Sequence, residues 1–547
     1  MSSHIAAARG VSASSTISPT RQWLGLVALV LPVLLIAIDN TVLGFAVPSL
    51  SRELNPSAGQ LLWIVDIYAF LLAGLLITMG SLGDRIGRRR LLLFGSAAFG
   101  AASAFAAFST SAEMLIAARA LLGIAGATLM PSTLALLRTL FPEQRQRMLA
   151  IAIWASAFSA GAAFGPILGG LLLEHFFWGS IFLINIPVAA LVLVAVPLLV
   201  PESKNPTPGR FDPLSVLQSI TGMLTAVYGL KRLAAGEVSL IPVLAFAMGV
   251  AILVSFVRRQ RRLPEPLLDL SLFSLPRFRT AVMTNFMLVF ALVGSMFFLT
   301  QLLQLAYGMS PLRASLVLVP GLLASVVASF VVIPLARRYS LRALVATGIL
   351  IAGAGFALLI GAPESNGYLV AGLAFLALGT GMGLAETLTN SAVLSSAPAH
   401  RSGAASAISE TAYELGGALG VAILGAVLSA IYRVQLLDTP IEVAEGETLP
   451  RGAVPGAAET LAAAEEISAG LGGQVGASIW DAAHSAFVTS VHWTSVVATG
   501  LMLVAAGLVL IMLRGDRPAS QAGAISAGEV SQTSAAGATP APATMER

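Results

Sequence analysis

Residues 60–109 read QLLWIVDIYAFLLAGLLITMGSLGDRIGRRRLLLFGSAAFGAASAFAAFS. Two apolar stretches, 60–80 and 91–109, flank the loop Gly80-Ser-Leu-Gly-Asp-Arg-Ile-Gly-Arg-Arg-Arg-Leu91. Each stretch has roughly the 20 residues that a helix needs to cross a hydrocarbon core. The loop carries Arg85, Arg88, Arg89 and Arg90, which are costly to place inside that core. The segment therefore predicts two membrane-spanning helices joined at one surface of a bilayer.

The same pattern runs along the whole chain. Apolar runs occupy 23–48, 60–80, 91–109, 113–137, 148–173, 180–200, 212–232, 238–257, 279–304, 312–336, 341–361, 367–395, 402–432 and 484–513. These predict an all-α integral membrane protein of fourteen spans. Composition agrees. Of the 547 residues, 56% are hydrophobic and 11% charged, whereas soluble domains carry about 25% charge. The chain has no cysteine, which excludes disulfides and thiol chemistry. The first run is too long for the core of a cleavable signal peptide. No residue set suggests a catalytic centre, a metal site or a cofactor, and the basic pI of 9.7 reflects loops, not a nucleic-acid surface.

The loops also predict orientation. Placing both termini in the cytoplasm puts 24 of the 31 lysines and arginines on the inner side. Six fall outside (Arg52, Lys231, Arg232, Arg313, Arg433 and Arg451), and Arg119 lies within a span. Such a bias follows the positive-inside rule. The chain divides into a cytoplasmic segment 1–22, a six-helix bundle 23–200, two inserted helices with linkers 201–278, a second six-helix bundle 279–513, and a tail 514–547. The tail is rich in Ala, Ser, Gly and Pro and reads as disordered. Residues 433–483 read as a long outer loop. The two bundles look like repeats: Pro334-Leu-Ala-Arg-Arg-Tyr-Ser-Leu-Arg-Ala-Leu344 is a decayed copy of the 80–91 loop. Gly416 to Gly425 sits in span 13 much as Gly161 to Gly170 sits in span 5. Paired repeats with a site between them at mid-membrane typify secondary transporters.

These stretches resemble the major facilitator superfamily, and within it the fourteen-span drug:proton antiporters. The 80–91 loop matches the superfamily's best-known motif. Arg119 to Gly126 matches its span-4 motif, with Leu122 where many relatives have glutamine. Gly161 to Gly170 matches the span-5 motif of exporters. Ile38-Asp-Asn-Thr-Val42 through Pro48, and Trp178 through Ile181-Phe-Leu-Ile-Asn-Ile-Pro187, match the first and sixth spans of the fourteen-span group. Trp63-Ile-Val-Asp-Ile-Tyr68 and Glu410-Thr-Ala-Tyr-Glu414-Leu-Gly are similar to the quaternary-ammonium efflux pumps. The resemblance implies proton-driven export of lipophilic cations and dyes across the cell inner membrane, an antibiotic-resistance trait, by a monomer without cofactors. Span 10 (312–336) has no acid where some of those pumps carry one, which argues against strong transport of divalent cations.

Acids within spans cost roughly 2.5–3.5 kcal/mol each to insert. Asp39, Asp66, Glu386, Glu410 and Glu414 are of this kind. Counting 1.5 Å per residue places Asp39 and Arg119 at similar depth, which predicts a buried pair. Protonation of Asp39 would release the arginine; a static structural pair is the simpler alternative. Glu410 and Glu414 are four apart and share a helix face. Two like charges there repel, which favours one holding a proton. The proton-coupling candidates are thus Asp39, Arg119, Glu410 and Glu414. The candidates for binding a cation are Asp66, Glu386, Glu410 and Glu414, with Trp63 and Phe158 as aromatic walls.

In the loop, Gly83 and Asp84 are expected to form a tight turn. Asp84 would accept N–H groups at a neighbouring helix end and pair with Arg85 or Arg88 as a conformational latch. In span 5, Gly161, Gly165 and Gly169 form a stripe for close helix contact, and Pro166 bends the helix. A large residue at Gly165 is expected to push span 5 away from the opposite half. His484 and His492 read as incidental. A metabolite importer would need more buried cations than Arg119. A sensor would not need five buried acids. An ATP-driven pump would need a phosphate loop that is not present.

Overall fold

A computed structural model describes residues 18–204, 212–234, 239–264, 266, 268, 270–362, 366–396, 402–441 and 449–513. Most of the expected 1–22 segment, the whole 514–547 tail, and Glu442, Glu445 and Glu447 lie outside the described residues. Fourteen helices are long and apolar enough to cross a membrane. In chain order these spans are Pro19–Leu54, Ala58–Leu76, Arg88–Ala107, Ala112–Leu140, Leu149–His175, Ser180–Leu199, Pro213–Leu230, Leu240–Gln260, Pro276–Ala306, Pro311–Leu335, Leu341–Leu359, Gly367–Val393, Ile408–Asp438 and Gly473–Met512. Inside a bilayer a helix satisfies its own backbone polar groups, so apolar runs of this length have no better option. Polar caps set the ends. Ser57 accepts from the N–H of Gln60, whose side chain accepts from Ser57 N–H, a reciprocal capping pair. Ser111, Ser310 and Ser340 start spans 4, 10 and 11 in the same manner.

Each half has its own core, and the two touch at the seam, where Phe45 of span 1 joins the second core and Phe297 of span 9 joins the first. Spans 1–6 pack around Leu29, Tyr68, Phe99, Leu122 and Phe182. Spans 9–14 pack around Phe298, Ile349, Phe356, Phe375 and Phe487. Spans 7 and 8 form a hairpin at the side. Val227 of span 7 joins Phe70 of span 2 and Ala418 and Ala422 of span 13 in a small cluster across the seam.

The halves meet at the end opposite the 80–91 loop, which the expected orientation would place outside. A Cβ at Gly170 of span 5 would lie 2.8 Å from the Leu312 backbone at the start of span 10. One at Gly425 of span 13 would lie 2.6 Å from Leu62 of span 2. Gln304 donates to the Phe45 carbonyl at 3.1 Å. Arg52 donates to the carboxylate of Glu465 at 3.0 and 3.3 Å.

Two expectations need correction here. The last span starts at Gly473, not 484, and forms a 40-residue helix. Its first turns are Gly- and Ala-rich, helical but not apolar enough to read as membrane-embedded. The supposed long outer loop is therefore mostly ordered: span 13 runs to Asp438, and short helices Ala453–Ala457 and Leu461–Leu471 follow. Gly472 and Gly473, at φ +60° and +56°, reverse the chain into span 14. That left-handed region is open to glycine at little cost.

Because the chain has no cysteine, single replacements report sidedness cleanly. A membrane-impermeant maleimide should label Glu465→Cys in intact cells and label Arg90→Cys only after permeabilisation. The reverse pattern would invert the orientation.

Candidate functional site

The first-half acid and the buried arginine meet as expected. Arg119 Nη1 lies 2.7 Å from Asp39 Oδ2, with both side chains 2% exposed. Arg119 Nε donates to the Ile64 carbonyl at 3.2 Å, and its guanidinium stacks 4.3 Å over the Tyr68 ring. These contacts explain how an arginine survives here: a carboxylate and a carbonyl accept its N–H groups, and the ring supplies a cation–π attraction.

Asp39 has a second partner that sequence reasoning missed. Asn185 Nδ2 donates to Asp39 Oδ1 at 3.2 Å and to Ser103 Oγ at 3.1 Å. Pro187 has no N–H to give the Leu183 carbonyl, so the helix of span 6 stops at Leu183 and restarts at Asn185. The break puts Asn185 beside Asp39. The Asn-Ile-Pro sequence held the signal, since a buried asparagine near an internal proline needs a polar partner.

The glycine stripe of span 5 faces span 1, not the opposite half. A Cβ at Gly161 would lie 2.8 Å from the Ala37 side chain, one at Gly165 would collide with Thr41, and one at Gly169 would lie 3.0 Å from Val42. These three span-1 residues bracket Asp39. Gly161, Gly165 and Gly169 therefore fix the height and rotation of the acid, and Gly170 makes the contact with span 10. Pro166 is buried in the same helix.

A cavity opens between the halves. Asp66, Arg119 and Phe158 line it from the first half, and Met296, Tyr413 and Glu414 from the second. Phe158 and Tyr413 meet edge-on across the seam, with ring centroids 6.1 Å apart. Glu414 is buried, and its Oε1 has no hydrogen-bond partner among the described residues. Span 10 contributes the apolar Leu322, as expected from its lack of acids. A mostly apolar lining with a few polar groups is the composition of small-molecule sites.

Three expected wall residues lie elsewhere. Trp63 packs against the Phe70–Val227–Ala418 cluster beside span 7. Glu410 lies one turn from Glu414 toward the inner side and is not part of the described lining. Glu386 lies one helical turn before Asn390, which accepts from Asn285 at 2.6 Å and, with Ser409, forms a polar network joining spans 9, 12 and 13. Equal depth along two helices did not determine which way each side chain turned. His484 hydrogen-bonds the Ala306 carbonyl at 3.2 Å, a structural tie.

The 80–91 loop differs in detail from expectation. The helix of span 2 runs through Gly83, Asp84 and Arg85 to Ile86, and the turn is the single residue Gly87 at φ +110°. Asp84 pairs with Arg88, whose Nε lies 2.6 Å from Asp84 Oδ1. Arg85 stays on the last helical turn. The carboxylate that caps span 3 is Glu202, after span 6. It accepts from the N–H groups of Arg89 at 2.9 Å and Arg90 at 3.3 Å, where a helix start favours an anion. A Cβ at Gly87 would lie 2.8 Å from that carboxylate. Sequence separation hid this partner.

Residues 29–421 match the family model of the Major Facilitator Superfamily. The chain belongs to this superfamily. It is 46% identical to the multidrug efflux pump LfrA of Mycolicibacterium smegmatis over 92% of this chain and 98% of that protein. It is 37% identical to the methyl viologen resistance protein SmvA of Salmonella typhimurium over 91% and 99%. It is 31% identical to a tetracenomycin C resistance and export protein of Streptomyces glaucescens over 91% and 92%. Among solved structures, a bacterial homologue of the lysosomal transporter Spinster, inward-facing and unoccupied, aligns with a TM-score of 0.62. It is 16% identical and covers 90% of this chain and 99% of that one, so it shares the fold. Superfamily membership and the fourteen spans found among the described residues make this a multi-pass membrane transporter in architecture.

Two substitutions test this geometry. Gly165→Leu should cost about 1–3 kcal/mol by overpacking against Thr41, and should abolish transport by displacing Asp39; thermal unfolding and efflux of the same variant measure both. Glu202→Ala should cost about 1 kcal/mol through the lost cap while Asp84→Ala costs less, and equal thermal shifts would remove the special place of Glu202.

Proposed function

We propose that the protein exports lipophilic organic cations, including quaternary ammonium compounds and cationic dyes, in exchange for protons by alternating access. The observation that carries this proposal is the cavity between the halves, apolar and aromatic in its walls, with Asp66 and Glu414 entering from opposite sides. An apolar cation gains from those walls and from a nearby carboxylate in a medium of low dielectric. Arg119 also borders the cavity, but Asp39 neutralises it. The relatives named for multidrug efflux and methyl viologen resistance support export.

Coupling follows from competition. A carboxylate that holds either a proton or a cation makes the two ligands mutually exclusive, which is negative linkage between them. Glu414 borders the cavity, and Glu410 lies one turn away toward the inner side. The Asp39–Arg119 pair serves as the proton-dependent switch in the other half. The Asp84–Arg88 loop and its Glu202 cap hold the inner ends together while that switch is closed. A second reading, export of a non-cationic drug, finds support in the tetracenomycin C relative.

Cells loaded with ethidium separate these readings. Energised cells should extrude the dye, and a protonophore should stop them; protonophore-insensitive extrusion, or none, would count against the proposal. Binding of a fluorescent cation to purified protein should weaken as pH falls from about 8 to 5, because protonation removes the attracting charge. That slope should flatten in the Glu410→Gln, Glu414→Gln double variant. An unchanged profile would take this pair out of the mechanism.

A further inference from the structure

Spans 7 and 8 lie outside both bundles, and their inner end holds a groove that transport does not use. It is lined by Gln218 of span 7 and by Ser255, Arg258, Arg259, Arg262 and Val254 on or just beyond span 8. Gln218 Nε2 donates to Ser255 Oγ at 3.2 Å, tying the two helices together.

One of the three arginines is neutralised. Arg259 grips Asp212 with two hydrogen bonds, 2.9 and 3.0 Å long. Ser215 Oγ donates to the same carboxylate at 2.6 Å and accepts from Gln260 at 2.7 Å. The Arg259 hydrogen bond holds the Asp212 carboxyl down at about 2, so Asp212 stays charged at neutral pH and is committed to Arg259. Arg258 and Arg262 are exposed, line the groove, and have no ion-pair partner among the described residues. They are four residues apart, one turn along the chain.

The wall beside them is apolar and faces the membrane. Only 11% of span 8 is buried within the protein, and Val250 and Val254 are exposed. We propose that this groove binds the phosphate of an anionic membrane phospholipid, held by Arg258 and Arg262, with its acyl chains along Val254 and Val250. Guanidinium groups match phosphate oxygens in number and geometry, and basic pockets between spans near a membrane surface suit anionic headgroups. A free phosphate has the same headgroup chemistry but nothing to place on the apolar wall. The bound lipid would set the depth of the hairpin beside the seam, where Met223 and Ile220 of span 7 pack on Gly74 of span 2.

Native mass spectrometry of the purified full-length protein tests this. The protein should retain phosphatidylglycerol in preference to phosphatidylcholine. Arg258→Gln with Arg262→Gln should weaken that retention by about 30-fold, taking about 1 kcal/mol for each arginine. Arg258→Lys with Arg262→Lys, which keeps the charge and guards against misfolding, should retain most of it. Arg337→Gln with Arg338→Gln, at the inner end of span 10, should leave it unchanged. Equal retention by the double glutamine variant and the wild type would overturn the site, as would equal retention of the two lipids. Displacement of the lipid by inorganic phosphate at matched concentration would assign the groove to a free anion and overturn the lipid proposal.

Discussion

A charged group in the middle of a bilayer must bring its own solvent. Arg119 does so with Asp39, the Ile64 carbonyl and the Tyr68 ring. Asp39 in turn holds Asn185. Spans 1, 2, 4 and 6 are therefore tied at one point by polar contacts that no lipid could replace. Removing one partner of such a pair leaves the other buried and uncompensated, at a cost of roughly 3–5 kcal/mol. The glycine stripe of span 5 presses on the same segment of span 1. The ion pair and the glycine stripe together set the position of the first-half acid.

The second half is built differently. It has acids but no matching buried arginine. Glu414 enters the cavity with one oxygen unpartnered among the described residues, and Glu386 lies one helical turn before Asn390, which accepts from Asn285. The cavity therefore has an ion pair at one wall and the carboxyl groups of Asp66 and Glu414 at others. Under the proposed function, one half responds to protonation by loosening a contact, and the other by giving up a countercharge. The halves are closed against each other at the end opposite the 80–91 loop through Gly170, Gly425, Gln304 and Arg52, so opening that end requires breaking those contacts.

Much of this was legible in the chain because membranes make simple demands. Apolar runs located all fourteen spans, and depth counting along spans 1 and 4 placed Asp39 beside Arg119. What failed shared one cause: depth gives height, not rotation or long-range partners. Trp63, Glu386 and Glu410 had the right height but are not among the described lining residues of the cavity. The stripe at Gly161, Gly165 and Gly169 was a contact surface as expected, yet its partner was span 1. Glu202 caps a helix that begins more than a hundred residues earlier, and Asn185 reaches Asp39 only because Pro187 breaks span 6. Span 14 began early because its first turns are helical without being greasy.

The central claim is that the Asp39–Arg119 pair is a proton-dependent switch and not a static tie. The most direct measurement is substrate-driven proton release from Asp39→Asn protein in reconstituted vesicles, alongside wild type. Asparagine keeps the size and can still hydrogen-bond Arg119 but carries no titrating charge. If the pair is the switch, the variant should insert and fold, bind the fluorescent cation, and release no protons on its addition. Normal proton release by this variant would contradict the account.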